Sequence, residues 1–325
     1  MFLVTTLALF MPLSLSCWIL NLLFSVYNPD TTIVAPWRLI VAIFTPCFIA
    51  SWGLKRGSLD KSGAIAGLFV GFVLSVSSMC FWSALLTFFI FASKATKFRS
   101  QQKRKFEEDF KEGGQRNWVQ VLCNGGIAAE FSMLYMLDCG CVERPVDFSR
   151  QYMASWHSMA VLAALACSSG DTFASELGTV IGTSMKPRLI TTLQKVPTGT
   201  NGGVTLVGTL SSVFGGFIVG LAYYITMLLA CTGQQLQEAP SQWPIVVYSA
   251  ACGAIGSIID SYMGAILQYS GINEDKKCIV ERPGPNVTHI CGNALLDNHS
   301  VNLLSALFTA LLGPRIAFYG WQYFV

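Results

Sequence analysis

Long apolar runs separated by short polar stretches set the pattern of this chain. The runs are Phe2–Val26, Trp37–Trp52, Gly63–Ala92, Trp118–Leu137, Ala154–Gly182, Gly203–Ala230, Pro244–Tyr269 and Val301–Tyr323. Most of them approach or exceed the roughly 20 apolar residues with which a helix crosses a bilayer. A backbone inside hydrocarbon must satisfy its own hydrogen bonds, so each run is predicted to be a helix. The third run is long for one helix, and Ser75, Ser77 and Ser78 at its middle predict a tight hairpin. The pattern therefore gives about nine transmembrane helices, or eight if residues 63–92 form a single span. The expected fold is an all-α, polytopic membrane bundle. It forms one integral membrane domain over residues 1–325, with a basic loop at 94–116 and a polar loop at 271–299.

Composition supports this reading. Of the residues, 53% are hydrophobic and only 12% charged, against about 25% charged in soluble domains, and the mean hydropathy is +0.52. These values exclude a single soluble domain. Met1–Val26 has no positive n-region and outlasts a usual signal-peptide core, so it reads as a retained first helix. Eleven cysteines lie mostly within apolar runs, where they act as small hydrophobes. Cys278 and Cys291 flank a polar loop and would bond only if that loop faced an oxidising lumen.

Charge then orients the spans, because cytoplasmic loops gather Lys and Arg. Loop 94–116 carries Lys94, Lys97, Arg99, Lys103, Arg104, Lys105, Lys111 and Arg116. With nine spans, Lys55, Arg56, Lys61, Lys186, Arg188, Lys195, Lys276, Lys277 and Arg282 fall on that same side. The opposite side keeps only Arg144 and Arg150 in its loops. The N-terminus is thus expected in the cytoplasm. The sequons at Asn286 and Asn298 would also be cytoplasmic and unmodified. The expected surroundings are the bilayer of the endoplasmic reticulum or another endomembrane, with no nucleic-acid partner.

Several acids interrupt the apolar pattern. A charge at the bilayer centre costs about 2.5–3.5 kcal/mol on insertion scales, so each needs a reason. Glu130, Asp171, Glu176 and Asp260 lie in or beside spans, and Asp297 just precedes the last one. On a helix, Thr172, Ser175, Glu176 and Thr179 share a face, with Asp171 at its edge. Carboxylates and hydroxyls so placed suit a hydrated Mg²⁺, which takes one or two carboxylates beside substrate phosphates. A polar packing cluster or an ion pathway would also account for them.

The next polar segment runs Lys195-Val-Pro-Thr-Gly-Thr-Asn-Gly-Gly203. Thr200 or Asn201 is expected to cap the helix that follows, whose free N–H groups would attract phosphate. The spacing is not that of a P-loop. Asp260 sits mid-helix in Gly-Ser-Ile-Ile-Asp-Ser, and Asp297 or Asn298 can cap the last span. Gly63, Gly67 and Gly71 form one small-residue stripe and Gly216 and Gly220 part of another, both read as close helix packing.

Four of these segments together are specific: Ser169-Gly-Asp-Thr-Phe-Ala-Ser-Glu-Leu-Gly178, the Lys195–Gly203 turn, Gly256-Ser-Ile-Ile-Asp-Ser261 and Asp297-Asn-His-Ser-Val-Asn302. With them the chain resembles the transmembrane protein 19 family from about Ala50 onward. Plant relatives of that family include phytyl-phosphate kinase, and the pattern is distantly similar to dolichol kinases and CDP-diacylglycerol synthases. The resemblance implies a phosphotransferase that uses CTP and Mg²⁺ to turn an isoprenoid monophosphate into a diphosphate at the cytoplasmic interface. Carried over, it makes Asp171, Lys195 and Asp260 catalytic and puts Mg²⁺ on Asp171, Glu176, Asp260 and Asp297. Lys186, Arg188, Thr198, Gly199, Thr200, Asn201, Gly202, Gly203 and Asn298 would face the nucleotide and the lipid phosphate. A transporter of a small anion or metabolite is the alternative, since intramembrane acids and Gly-broken helices also suit that class.

Overall fold

The computed structural model describes residues 33–98, 114–181, 186–275 and 278–324, with scattered positions between 12 and 26. Most of the first apolar run, residues 99–113 of the basic loop, and Lys276 and Lys277 lie outside the described residues.

Eight long helices stand among those described. They are α1 (Pro36–Lys55), α2 (Lys61–Ser77), α3 (Met79–Lys97), α4 (Trp118–Cys139), α5 (Tyr152–Ile181), α6 (Leu206–Ala230), α8 (Pro244–Leu267) and α9 (Asn298–Phe324); α7 (Gly233–Glu238) is a short connector. By length and apolar composition, α1, α3, α6, α8 and α9 are sufficient to cross a membrane. Helix α2 is apolar but shorter, at 17 residues. Helix α5 is the hub, packed against α3, α4, α6, α8 and α9. Every residue from Ser158 to Gly170 is buried within it. A helix surrounded by protein does not need a lipid-facing apolar surface.

The predicted hairpin in the third run is present. Ser78 breaks the run with an extended backbone, and its hydroxyl accepts from the Cys80 N–H to start α3. The hydroxyls of Ser75 and Ser77 turn back onto the Gly71 and Val73 carbonyls, which lets α2 end in a dry interior.

Glycine sets the closest helix approaches. A Cβ on Gly170 of α5 would stand 2.4 Å from the Gly253 carbonyl of α8, and one on Gly216 of α6 would stand 2.3 Å from the Ser249 carbonyl. Ser249 donates across the second contact to the Gly216 carbonyl at 2.7 Å, and Ser169 of α5 donates to the Gly215 carbonyl of α6 at 2.9 Å. The Gly63 stripe is only partly a packing stripe. A Cβ on Gly63 would strike the Arg116 carbonyl and one on Gly71 would press Pro46, but one on Gly67 would meet nothing nearer than Leu59, at 4.0 Å.

The charges separate by end. At one end, Lys97 donates to the Arg56 carbonyl, and Leu59 bridges Arg116. The Arg188–Lys195 hairpin, closed by β1 (Arg188–Leu189) and β2 (Gly203–Val204), lies at this end too. So does a three-stranded sheet of β3 (Ser270–Asn273), β4 (Cys278–Val280) and β5 (Val287–Cys291), with β3 in the middle. At the other end, Arg38 is paired with Glu143 and Arg150 with Glu238. Cys278 and Cys291 are free and sit on the two outer strands. Two strand spacings of about 4.8 Å put them beyond disulfide reach.

Candidate functional site

Two acids meet at the basic end. Asp171 belongs to the C-terminal half of α5 and Asp260 to that of α8. The glycine contact between Gly170 and Gly253 draws those helices together just below them. Their carboxylates, with that of Glu176, lie near enough for the charges to act on one another. Asp260 is held from α9: the Ser305 hydroxyl donates to its Oδ2 at 3.1 Å. The Asn302 amide, oriented with its nitrogen toward Asp260, donates to the same oxygen at 3.2 Å and to the Asn298 carbonyl at 3.0 Å. Cys167, one turn before Asp171, has its thiol 3.8 Å from the Ser305 hydroxyl.

Asn302 and Ser305 were not among the residues expected to form the site. They lie at i+4 and i+7 from Asn298, one face of the last helix, and that spacing could have flagged them.

The hydroxyls around Asp171 are turned inward along their own helix. Thr172 bonds the Ser168 carbonyl, Ser175 that of Thr172, and Thr179 that of Ser175. Asp297 caps α9, accepting from the Ser300 N–H at 2.8 Å. Those Ser300 hydrogen bonds hold its carboxyl below the ordinary carboxylate range. Asn298 is exposed beside it. Among the described residues no three His, Cys, Asp or Glu side chains converge as a metal site. A four-acid cage of Asp171, Glu176, Asp260 and Asp297 is therefore not formed by the protein alone. A pair of hard carboxylates that repel each other still suits a divalent cation completed by water and phosphate oxygens.

The Gly-rich turn is seated beside Asp260. Gly202, in the left-handed region at φ +74°, lies against the Ser261 carbonyl and Ala265, where any Cβ would clash. The Asn201 N–H donates to the Ser270 hydroxyl at 3.1 Å and its side chain reaches the Tyr269 carbonyl. Thr200 is buried, its hydroxyl on the Pro197 carbonyl. Gly199 supplies the turn's other left-handed position, and Thr198 beside it is half-buried.

Neither Thr200 nor Asn201 caps the next helix. Gly203–Val204 pairs first as β2, and Thr205 then caps α6, accepting from the Gly208 N–H. The N–H groups of Thr200 and Gly203 are taken by carbonyls of the turn itself and that of Asn201 by Ser270. Lys186, Arg188 and Lys195 stand exposed on the hairpin. Arg188 is tied to the Leu193 carbonyl, while Lys195 makes no ion pair among the described residues.

A further cation was missed. Arg116, read only as part of a basic loop, precedes α4 and turns inward. Its guanidinium donates to the Ser93 and Thr96 hydroxyls at 3.1 and 3.3 Å and pairs with no carboxylate among the described residues. Burial pulls its pKa down, and the negative charge of Glu176 works against that. Glu130, by contrast, is exposed midway along α4 and has no ion pair among the described residues.

The family described as an integral membrane protein, DUF92, matches residues 44–310. The chain belongs to this integral membrane family. It is 40% identical to Protein PGR of Arabidopsis thaliana over 275 residues, covering 85% of this chain and 94% of the plant protein. It is 28% identical to an uncharacterised membrane protein of Methanocaldococcus jannaschii over 86% of this chain and 94% of that protein. A Synechocystis membrane protein is 26% identical over 59% of this chain and 68% of its own length. No solved structure matches. All the candidate residues, Asp171 through Asn302 and Ser305, fall within the matched segment.

Proposed function

We propose that this DUF92 protein is a membrane-embedded kinase that converts an isoprenoid monophosphate to the diphosphate with CTP and Mg²⁺. The observation that carries the reading is the meeting of Asp171 and Asp260 on adjacent helices at the basic end, with the Lys195–Gly203 turn seated one residue from Asp260. Phosphoryl transfer asks the protein mainly for positioning and charge neutralisation. Asp171 and Asp260 would hold Mg²⁺, which neutralises the transferring phosphates when bound. Asn302 and Ser305 fix the rotamer of Asp260, and Lys195, Lys186 and Arg188 offer mobile positive charge to the nucleotide. A terminal oxygen of the lipid phosphate attacks the γ-phosphorus, the γ-phosphorus bond to its bridging oxygen breaks, and CDP leaves. The choice of CTP and of an isoprenoid acceptor rests on the resemblance of the four motifs to the transmembrane protein 19 family. In the same proposal the basic end faces the cytoplasm of an endomembrane.

The test uses purified protein, Mg²⁺, γ-labelled CTP and a panel of prenyl monophosphates, with Asp171→Asn as control. Label recovered in a prenyl diphosphate with wild type and lost with the variant supports the kinase. Folded protein that labels no lipid overturns it, and flux of small anions into protein-loaded vesicles would then favour the transporter.

A further inference from the structure

Between α1, α2, α3 and α4 runs an apolar groove that is open along part of its length. Pro46 of α1, Val70 of α2, and Trp82 and Phe89 of α3 are among the residues that wall it. It follows α3 from Trp82 to Ala92, about 15 Å at 1.5 Å per residue. Arg116 stands at one end, and Gln120 and Asn124 continue from it as a polar stripe along α4. The stripe leads toward the acidic pair: the Asn124 carbonyl accepts from the Ser168 hydroxyl at 2.9 Å, one turn before Asp171.

Gly67 faces this groove, and its missing side chain is what leaves that part open. Unlike Gly63 and Gly71, Gly67 lets no segment among the described residues approach more closely. A glycine inside a helix costs about 1 kcal/mol relative to alanine, and here the only structural return is empty space.

We infer that this groove holds the hydrocarbon chain of a single-chain isoprenoid monophosphate, with its phosphate at Arg116. One groove ending in one guanidinium suits one chain beneath one phosphate. Among the described residues the guanidinium hydrogen-bonds only to hydroxyls, with the Glu176 charge also acting on it, and it carries the charge complementary to that head group. The tail then lies among α1–α4 while the phosphate is presented toward Asp171 and Asp260. This names the acceptor subsite of the kinase proposed above and rests on that reading for the role of the phosphate.

The experiment uses the full chain in phosphatidylcholine vesicles without nucleotide. A geranylgeranyl monophosphate bearing a diazirine near its tail end is photolysed and the labelled residues are read by peptide mass spectrometry. Label is expected on Val70, Trp82 or Phe89, competed by untagged prenyl monophosphate but not by the prenyl alcohol or by phosphatidic acid. Gly67→Leu, whose Cβ comes no nearer than 4.0 Å to Leu59, extends into the groove and is expected to weaken labelling at least about tenfold, or 1.4 kcal/mol. Gly320→Leu, on α9 with nothing within 4 Å of its Cβ, should label as wild type. Arg116→Gln should abolish the preference for phosphate over alcohol.

Label outside the groove, none at all, equal competition by phosphatidic acid, or an unchanged Gly67→Leu would each overturn the inference. Turnover separates the two claims. Phosphate-dependent groove labelling without turnover keeps the groove and sinks the kinase, and turnover with label elsewhere does the reverse.

Discussion

Arg38 and Glu143, 105 positions apart, form a buried two-pronged ion pair at the end of the bundle opposite the acidic site. Glu143 also accepts from the Met79 N–H at 2.9 Å, the first residue of α3. One carboxylate thus ties the start of α1, the hairpin between α2 and α3, and the loop after α4. Removing one partner of such a pair strands the other charge, at a cost of about 3–5 kcal/mol. Arg38→Gln and Glu143→Gln are each expected to lower the thermal unfolding midpoint in detergent sharply. The double variant should lose less than the sum of the two, and strict additivity would mean that the pair is not coupled.

The contact of Asp260 with Asn302 and Ser305 predicts a graded series. Asp260→Asn should remove turnover, as should Asp171→Asn. Ser305→Ala and Asn302→Ala each remove one hydrogen bond to a charged group, about 1.5–3 kcal/mol, so turnover should fall roughly 10- to 100-fold with the fold intact. Circular dichroism and size-exclusion profiles like wild type must accompany the loss for it to count.

Glycine positions should divide by what their missing Cβ would meet. Gly216→Val and Gly170→Val push a side chain into the backbone of a neighbouring helix and are expected to prevent a folded, monodisperse product. Gly320→Ala meets nothing and should fold normally. Normal yield and melting of Gly216→Val would show that α6 and α8 do not pack as described.

Asp297 gives a pH dependence with a definite sign. Its carboxyl is held below the ordinary range by Ser300, so its cap stabilises α9 above the unfolded value, near 4, and is lost as pH falls through the lower folded value. Amide exchange in the first turn of α9, corrected for intrinsic rate, should rise in that acidic window. Asp297→Asn caps without titrating and should flatten the response.

The hydrophobic pattern alone set the class of the fold and most helix positions, because burial in hydrocarbon depends on runs of residue types within a single segment. It also located the break at Ser78, where local polarity suffices. The acids Asp171, Glu176 and Asp260 were visible for the same reason: each is costly where it stands. What the pattern could not carry were relations between segments. That Asn302 and Ser305 hold Asp260, that Arg116 turns into a groove, that Gly67 opens space where Gly63 and Gly71 close it, and that Glu143 finds Arg38 all depend on which helix faces which. The turn at Thr200–Gly203 shows the same limit, since the N–H groups of Thr200, Asn201 and Gly203 look free along the chain and are filled by Ser270 and by its own carbonyls once folded. Local chemistry fixed the elements, and the packing of helices distant in sequence decided the site.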